Sequence, residues 1–306
     1  MKQAVMAVCA ALMIPVFSGY AQTQQKPKTP PVPKPLPVVT SEAISQLETL
    51  IGTSLRAKPA KARKVLIFSK CEGFVHGDGI VYGNKAFEIA AAKTGAFQAD
   101  FSTDYASIND KANLFKYDAV VLNNTTMLKT KDNPSFVPNL IEFVKSGRGL
   151  CVIHSAADNF YNAPEAAEMV GGQFDGHPWT AGGTWAFKLD DPSHPLNQAF
   201  AGKNFKAGDE IYQQKSPFYD RSKLRVLVSL DLSDAATANS NVAKQKRTDK
   251  DFAVSWIRPY GEGRVFYTSF AHDKRTFLDK ARLTHILDGL QYTIGDLKVD
   301  DKPVAK

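Results

Sequence analysis

Ser146–Asp158 reads SGRGLCVIHSAAD, and the change of character along it decides the fold. Before it, Pro138–Lys145 carries Leu140, Ile141, Phe143 and Val144 at helical spacing and stops at Ser146-Gly147. Gly149 then opens a short apolar run, Leu150-Cys151-Val152-Ile153. A run of that length bounded by turn signals reads as a buried strand. Polarity returns abruptly with His154, Ser155 and Asp158. Ligands of open α/β sheets sit at the carboxyl ends of parallel strands, so these three are the first site candidates. The plainer alternatives are a histidine that ties down the loop and a serine that caps the following helix.

The same unit recurs upstream. Val65–Phe68 is a buried strand followed by a polar loop, Ser69–Gly79 (SKCEGFVHGDG), and a helix from Ile80 to Thr94 that stops at Gly95. Phe97–Ser102 is a second strand, and Tyr117–Asn124 (YDAVVLNN) contains a third. Strands alternating with helices predict an α/β fold with a parallel sheet. The strand ends at Ser69, Ser102/Asp104, Asn123/Asn124 and His154 all turn polar, as a site along one sheet edge requires. Further on, the patterns give a helix at Ala163–Val170 and a glycine-bracketed loop at Gly171–Trp179. Strands follow at Thr184–Leu189 and Arg225–Leu230, with an acidic-aromatic segment, Gly208–Tyr212, between them. Ser233–Asp251 reads as a mobile polar loop. Phe252–Ile257 and Arg264–Ser269 form a hairpin, and a loop bearing His272 and Asp273 leads to a last helix, Ala281–Ile294.

The ends have a different texture. Residues 1–21 carry Lys2, an apolar core and a small-residue cleavage site after Ala21, the pattern of a secretory signal. A periplasmic or secreted location is therefore expected. Residues 22–63 combine a proline-rich linker with a short amphipathic helix around Ser41–Arg56; the domain occupies 64–294 and a tail 295–306. No later segment has the length and apolarity of a transmembrane span. The formal charge of +7 resides in the linker region: residues 22–64 hold eight Lys/Arg against two Glu, and 65–306 balance to zero. A nucleic-acid groove is excluded on that distribution. Export permits a disulfide between Cys71 and Cys151, but the placement of Cys151 in mid-strand argues against it.

Five of the six histidines fall in loops: His76, His154, His177, His194 and His272. His285 lies among apolar neighbours on the last helix and reads as a packing residue, and His194 in DPSHP reads as structural. Imidazole serves near neutral pH as acid, base or metal ligand. With Asp209 or Glu210, two or three of these histidines would make a divalent metal site, such as zinc, with His154, Glu210 and His272 as ligand candidates. The spacings match no metal motif, so only folding decides whether they converge. Ser155 beside His154 is a poor triad, because adjacent side chains diverge. Trp179, Trp185, Tyr212, Phe218 and Tyr219 offer faces for sugar rings or belong to the core.

Taken in order, VLIFSKCEGFVHGDGI, FKYDAVVLNN, SGRGLCVIHSAAD, VGGQFDGHP, DEIYQ and WIRPYGEGRVFYTSFAHD resemble the ThuA-like (trehalose utilisation) family over roughly residues 64–294. The resemblance implies a flavodoxin-like three-layer fold with a mainly parallel central sheet, related to class I glutamine amidotransferases. Those enzymes carry a catalytic cysteine after the fourth strand, where this chain has His154-Ser155. The family is associated with bacterial sugar utilisation, alongside oxidoreductases that make 3-keto-glycosides. Two positions depart from its pattern: Val75 where Arg often stands, and Ala271 where Gly often stands.

The resulting expectation is an exported enzyme acting on a small-molecule carbohydrate, a glycoside or 3-keto-glycoside, as a hydrolase, lyase or isomerase. His154 or His272 would be the base and Glu210, raised by burial, the acid, with a metal polarising the ketone. His76, Ser155, Asp158, His177, Asp209, Tyr212 and Asp273 would bind substrate. A carbohydrate-binding accessory protein without chemistry is the alternative. A glutaminase-type hydrolase is disfavoured by the missing cysteine.

Overall fold

Four short apolar segments, β1 (Lys64–Phe68), β2 (Gln98–Ser102), β3 (Ala119–Asn123) and β4 (Gly149–Ile153), pair in parallel in the order β2-β1-β3-β4. β9 (Gly263–Thr268) extends that parallel block beside β4. The computed structural model describes Met1 and residues 35–304, so the expected secretory signal and the proline-rich segment to residue 34 lie outside the described residues.

Alternate residues of the parallel strands enter two separate cores. Val65, Ile67, Val121, Cys151 and Ile153 pack on one face, and Leu66, Phe68, Val120, Leu122, Leu150 and Val152 on the other. A sheet buried on both faces needs such uninterrupted apolar strands, and it makes the α/β fold that the pattern predicts, in the three layers that the resemblance implies. The Gly77–Thr94 and Lys280–Thr293 helices cover the first face, and Phe136–Lys145 covers the second.

Beyond β9 the sheet becomes antiparallel. β8 (Ala253–Tyr260), β7 (Arg225–Leu230), β5 (Thr184–Leu189) and β6 (Phe205–Gly208) complete nine strands among the described residues, in the order β2-β1-β3-β4-β9-β8-β7-β5-β6. β6 has no counterpart in the sequence reading, because Phe-Lys-Ala-Gly is short and lies on the sheet edge. The β8–β9 hairpin is tighter than expected, turning on Gly261-Glu262 alone.

The Ser41–Leu50 helix buries Ala43 and Leu47 against the first core. It ends earlier than expected, and Arg56 beyond it pairs with Asp288 at 2.7 Å. The Ser233–Asp251 stretch, expected to be mobile, is pinned: Trp179 donates to the Thr237 carbonyl at 2.8 Å, and Gln213 to that of Lys244 at 2.8 Å. The tail is held likewise, with the Asp300 carbonyl 3.0 Å from His194 Nε2. Cys71 and Cys151 are free thiols. Among the described residues no helix is long and apolar enough to cross a membrane.

His285 is fully buried, with Nδ1 2.9 Å from the Leu196 carbonyl and Nε2 2.8 Å from Ser255 Oγ. Burial pushes its pKa down to about 4. The unfolded chain therefore takes up this proton first as the pH falls. Stability is expected to be lost between about pH 6.5 and pH 4, at about 1.4 kcal/mol per pH unit for this group. Urea denaturation across that range should show a shallower pH slope in His285→Gln. An unchanged slope would remove His285 as a source of acid lability.

Candidate functional site

Each strand of the parallel block hands its polar end residues to the same rim. The loop after β1 carries His76, which forms the N-cap position of the Gly77–Thr94 helix. That helix begins one turn earlier than the apolar pattern suggests, and so His76 is buried rather than loose in the loop. β4 ends in a sharp turn at His154, whose φ of 49° places a non-glycine residue in the left-handed region. His154 is thus the elbow residue, and a 3₁₀ turn, His154–Ala157, follows it.

The β4–β9 register sets Ile153 opposite Thr268. His154 accordingly meets the residue after β9, and its Nδ1 lies 2.6 Å from the Ser269 carbonyl oxygen. A carbonyl only accepts, so Nδ1 carries the hydrogen and Nε2 is left with a free lone pair. Past Ser269 the chain reaches His272, whose Nδ1 stands 3.3 Å from His154 Nε2. The ring centroids of His76, His154 and His272 are 4.8–5.2 Å apart.

Glu210 arrives from the opposite, antiparallel half. After β6 the chain turns back across the rim, where Ile211 bridges to Trp179 and the Tyr212 amide donates to Ser269 Oγ at 2.9 Å. Glu210 Oε1 lies 3.3 Å from His272 Nδ1 and 3.8 Å from His154 Nε2. Its other oxygen is 3.3 Å from Nδ1 of the exposed His177. Tyr212 fills the floor, its ring 4.5 Å from that of His154 and its hydroxyl 3.5 Å from His76 Nε2.

One donor atom from each of His76, His154, Glu210 and His272 lies within 4.8 Å of the others. A tetrahedral ion with ligands at about 2.0–2.1 Å requires donors about 3.3–3.4 Å apart. The measured 3.3, 3.3 and 3.8 Å fall close to that edge length. His76 Nδ1 is buried without a hydrogen-bond partner, and its Nε2 lies 3.5 Å from the Tyr212 hydroxyl, a loosely satisfied ring of the kind a ligand histidine leaves. These four side chains therefore fit a divalent metal.

Burial, with the like charges of neighbouring imidazoles, holds His154 well below its usual pKa and His76 at about 4. His272 goes the other way: burial opposes its charge, but the Glu210 carboxylate outweighs it and raises the pKa. Glu210 correspondingly falls below its usual value, because His272 and the other imidazoles outweigh its burial. This corrects the expectation of a raised Glu210 acting as the acid. The Glu210 carboxylate favours its charged form, and with it a proton on His272.

Two residues expected to meet substrate lie beneath the cluster instead. Ser155 is fully buried and donates to Asn124 Oδ1 at 3.3 Å. Asp209 is buried and accepts from the backbone amides of Glu210 (2.9 Å), Ala271 (3.1 Å) and His272 (3.2 Å), and from Thr276 Oγ1 (2.5 Å). Arg282 stands 3.4 Å away. Asp209 is a brace that fixes where Glu210 and His272 stand, although burial still pushes its pKa upward. Asp273 caps a one-turn helix at Lys274–Phe277 and pairs with Arg275. Asp158 accepts from the Tyr161 hydroxyl at the rim, and burial raises its pKa.

Of the aromatic residues considered for sugar stacking, Trp179, Trp185 and Tyr219 are core, Phe218 packs partly buried against it, and Tyr212 alone lines the cluster. Ser269, Thr276 and Arg282 were not anticipated. A serine directly after a strand is a usable signal, whereas the other two lie on and before the last helix with none. Ala271 has a φ of 90°, which explains why glycine is favoured there. Its carbonyl would lie 2.5 Å from a Cβ at Gly79, so that close approach requires glycine at 79.

Residues 64–293 match the family model of ThuA, described as trehalose utilisation. A protein described as ThuA-like from Bacteroides uniformis is similar in structure, with a TM-score of 0.61 at 21% identity over 78% of this chain and 95% of that one. A second, from Parabacteroides merdae, gives 0.53 at 18% identity over 80% and 95%. Both share the fold. No curated protein sequence matches.

Two outcomes test the local construction. Asp209→Asn is expected to cost about 1–3 kcal/mol in urea denaturation, since one anionic oxygen serving three donors becomes an amide nitrogen that accepts none. Ala271→Gly should instead stabilise by about 1 kcal/mol through release of left-handed strain. A destabilised Ala271→Gly would show that the φ of 90° is not strained.

Proposed function

The chain belongs to the ThuA (trehalose utilisation) family, and from that footing we propose that it is an exported, metal-assisted acid–base enzyme acting on glycosides or 3-keto-glycosides. The observation that carries the reading is the convergence of His76, His154, Glu210 and His272 on one point of the sheet rim. Two neutral imidazoles, His76 and His154, beside a carboxylate and a third imidazole form a poor substrate floor but a good cation cage.

His76, His154, Glu210 and His272 would hold the ion. His154 is pre-set for this, because its Nδ1–H is committed to the Ser269 carbonyl. A proton on His272 would compete with the ion, so affinity would fall as the medium becomes more acidic. A bound divalent ion supplies Lewis acidity toward a ketone oxygen.

The keto group of a 3-keto-glycoside acidifies the C–H at C2. The base takes that proton, the electron pair forms the C1=C2 double bond, the C1–O bond breaks, and the departing oxygen receives a proton. The Glu210 oxygen on the His177 side, turned away from His154 and His272, would be the base in this scheme. His177, 3.3 Å from that oxygen and exposed to solvent, passes the proton on toward the leaving group. Asp158 and Tyr161 face the same mouth and would orient sugar hydroxyls.

Purified protein is expected to contain about one equivalent of a divalent metal that a chelator removes. Glu210→Ala and His154→Ala should lower consumption of a 3-keto-glycoside at least about a hundredfold while circular dichroism stays native. Metal-free protein with full activity would end the proposal. Sugar binding that these alanines weaken, without any turnover by the wild type, would identify an accessory binding protein instead.

A further inference from the structure

The parallel strands share a second rim, at their amino ends, and a cavity of about 590 Å³ opens there. Its wall is built from residues at or just before the starts of β1, β2, β3, β4 and β9, with Ile294 and Gly295 from beyond the last helix. Six side chains on that wall are cationic: Lys61, Arg63, Lys64, Lys116, Arg148 and Arg264. Asp118 is the one carboxylate lining it. β4 is five residues long, so about 16 Å of strand separates this cavity from the histidine cluster at the carboxyl ends. The two are separate sites.

Half of the positive charge is already neutralised. Lys61 and Arg63 pair with Asp118 at 2.8 and 3.2 Å, Arg63 also with Asp296, and Lys64 with Asp100 at 2.8 Å. Lys116, Arg148 and Arg264 join no carboxylate among the described residues. The two arginines are held by uncharged oxygens instead. Arg148 donates to the Tyr117 and Phe115 carbonyls, each at 3.2 Å, and to Ser146 Oγ at 2.8 Å, and its guanidinium lies 4.5 Å from the centre of the Phe115 ring. Arg264 Nε donates to the Tyr292 carbonyl at 3.0 Å. Gly295, with a φ of 80°, lets the backbone close on that guanidinium, since a Cβ there would come within 2.6 Å of Arg264 Nη2. Carbonyl dipoles fix both forks in place without cancelling their unit charges. Arg264 Nη1 has no acceptor among the described residues, so its N–H groups are uncommitted.

We propose that this cavity binds a doubly charged tetrahedral oxyanion, a phosphate or sulfate group, free or carried on a small organic molecule, and that Arg148, Arg264 and Lys116 hold it. Guanidinium forks match the oxygen spacing of such a group, and a lysine adds a point charge. Arginines pinned in advance lose little side-chain freedom when the anion arrives. A single carboxylate would leave two of the three cations uncompensated, whereas a dianion leaves one. The volume falls within the range of small-molecule sites, about 300–1,000 Å³, and so has room for the organic part of an ester. The remainder of the folded region is balanced in charge, so the attraction for anions is local to this rim.

Isothermal titration of the full chain with glucose 6-phosphate, inorganic phosphate, inorganic sulfate and glucose tests the site. The three anions are expected to bind, more weakly as salt is added, and glucose is not. Arg264→Gln should weaken glucose 6-phosphate at least about tenfold, the worth of one charge-assisted hydrogen bond. Lys116→Gln should weaken it about threefold. The Lys116 side chain is exposed and makes no hydrogen bond or ion pair among the described residues, so its variant reads the site even where Arg264→Gln fails to fold. Equal affinity for inorganic phosphate and the ester would identify the free ion as the ligand, and tighter binding of the ester would assign the rest of the cavity to its organic part; both support the proposal. Failure of all three anions to bind, or affinity that both variants leave unchanged, would overturn it. Anion binding that is lost in His154→Ala and kept in both variants would place the anion at the histidine cluster and overturn it as well.

Discussion

The hydrogen bond from His154 Nδ1 to the Ser269 carbonyl, at 2.6 Å, joins two strand ends 115 residues apart in sequence. It forms because β4 and β9 are parallel neighbours in register, so their carboxyl ends finish at the same height. The bond selects one tautomer, turns Nε2 toward His272 and Glu210, and makes the elbow residue part of a cluster. Without that strand pairing, His154 would be an isolated buried imidazole, which is costly and has no chemistry to perform.

Around this bond, burial and charge act in opposite directions, and their balance sets each group's state. For His76 and His154, burial prevails and the rings remain neutral. For His272 and Glu210, close approach prevails over burial and each favours the other's charged form. The cluster thus combines two neutral imidazoles with a carboxylate and a third imidazole that favour each other's charge. Asp209 maintains the balance from beneath, since its oxygens collect the amides of the two residues that form the pair. Backbone strain concentrates here as well: Asn124, Met127, His154, Phe160 and Ala271 all have positive φ and all belong to these loops. Strain persists where the surroundings over-determine the conformation, and here a buried hydrogen-bond network does so.

Much of this was legible in the chain. The apolar runs ending in polar residues gave β1, β3 and β4 and the edge on which they finish. The ordered motifs placed His76, His154, Glu210 and His272 among the candidates, and local apolar context marked His285 as packing. The illegible parts have physical causes. β6 is too short to show a pattern. Ser233–Asp251 looked loose because its anchors, Trp179 and Gln213, come from distant segments. Ser155 and Asp209 looked like ligand-facing groups because a polar side chain gives no sign in sequence of which way it points.

By itself, then, the sequence determined the layer architecture, the polar rim and the residue types available there, because hydrophobic period and turn chemistry act over a few neighbours. Tertiary structure alone decided which of those residues meet, which nitrogen of His154 is free, and whether Glu210 is charged. Each of these depends on distances between groups more than 50 residues apart along the chain, and on how much water their meeting excludes. Electrostatic energy depends on separation and local dielectric, and neither is defined until the strands have paired.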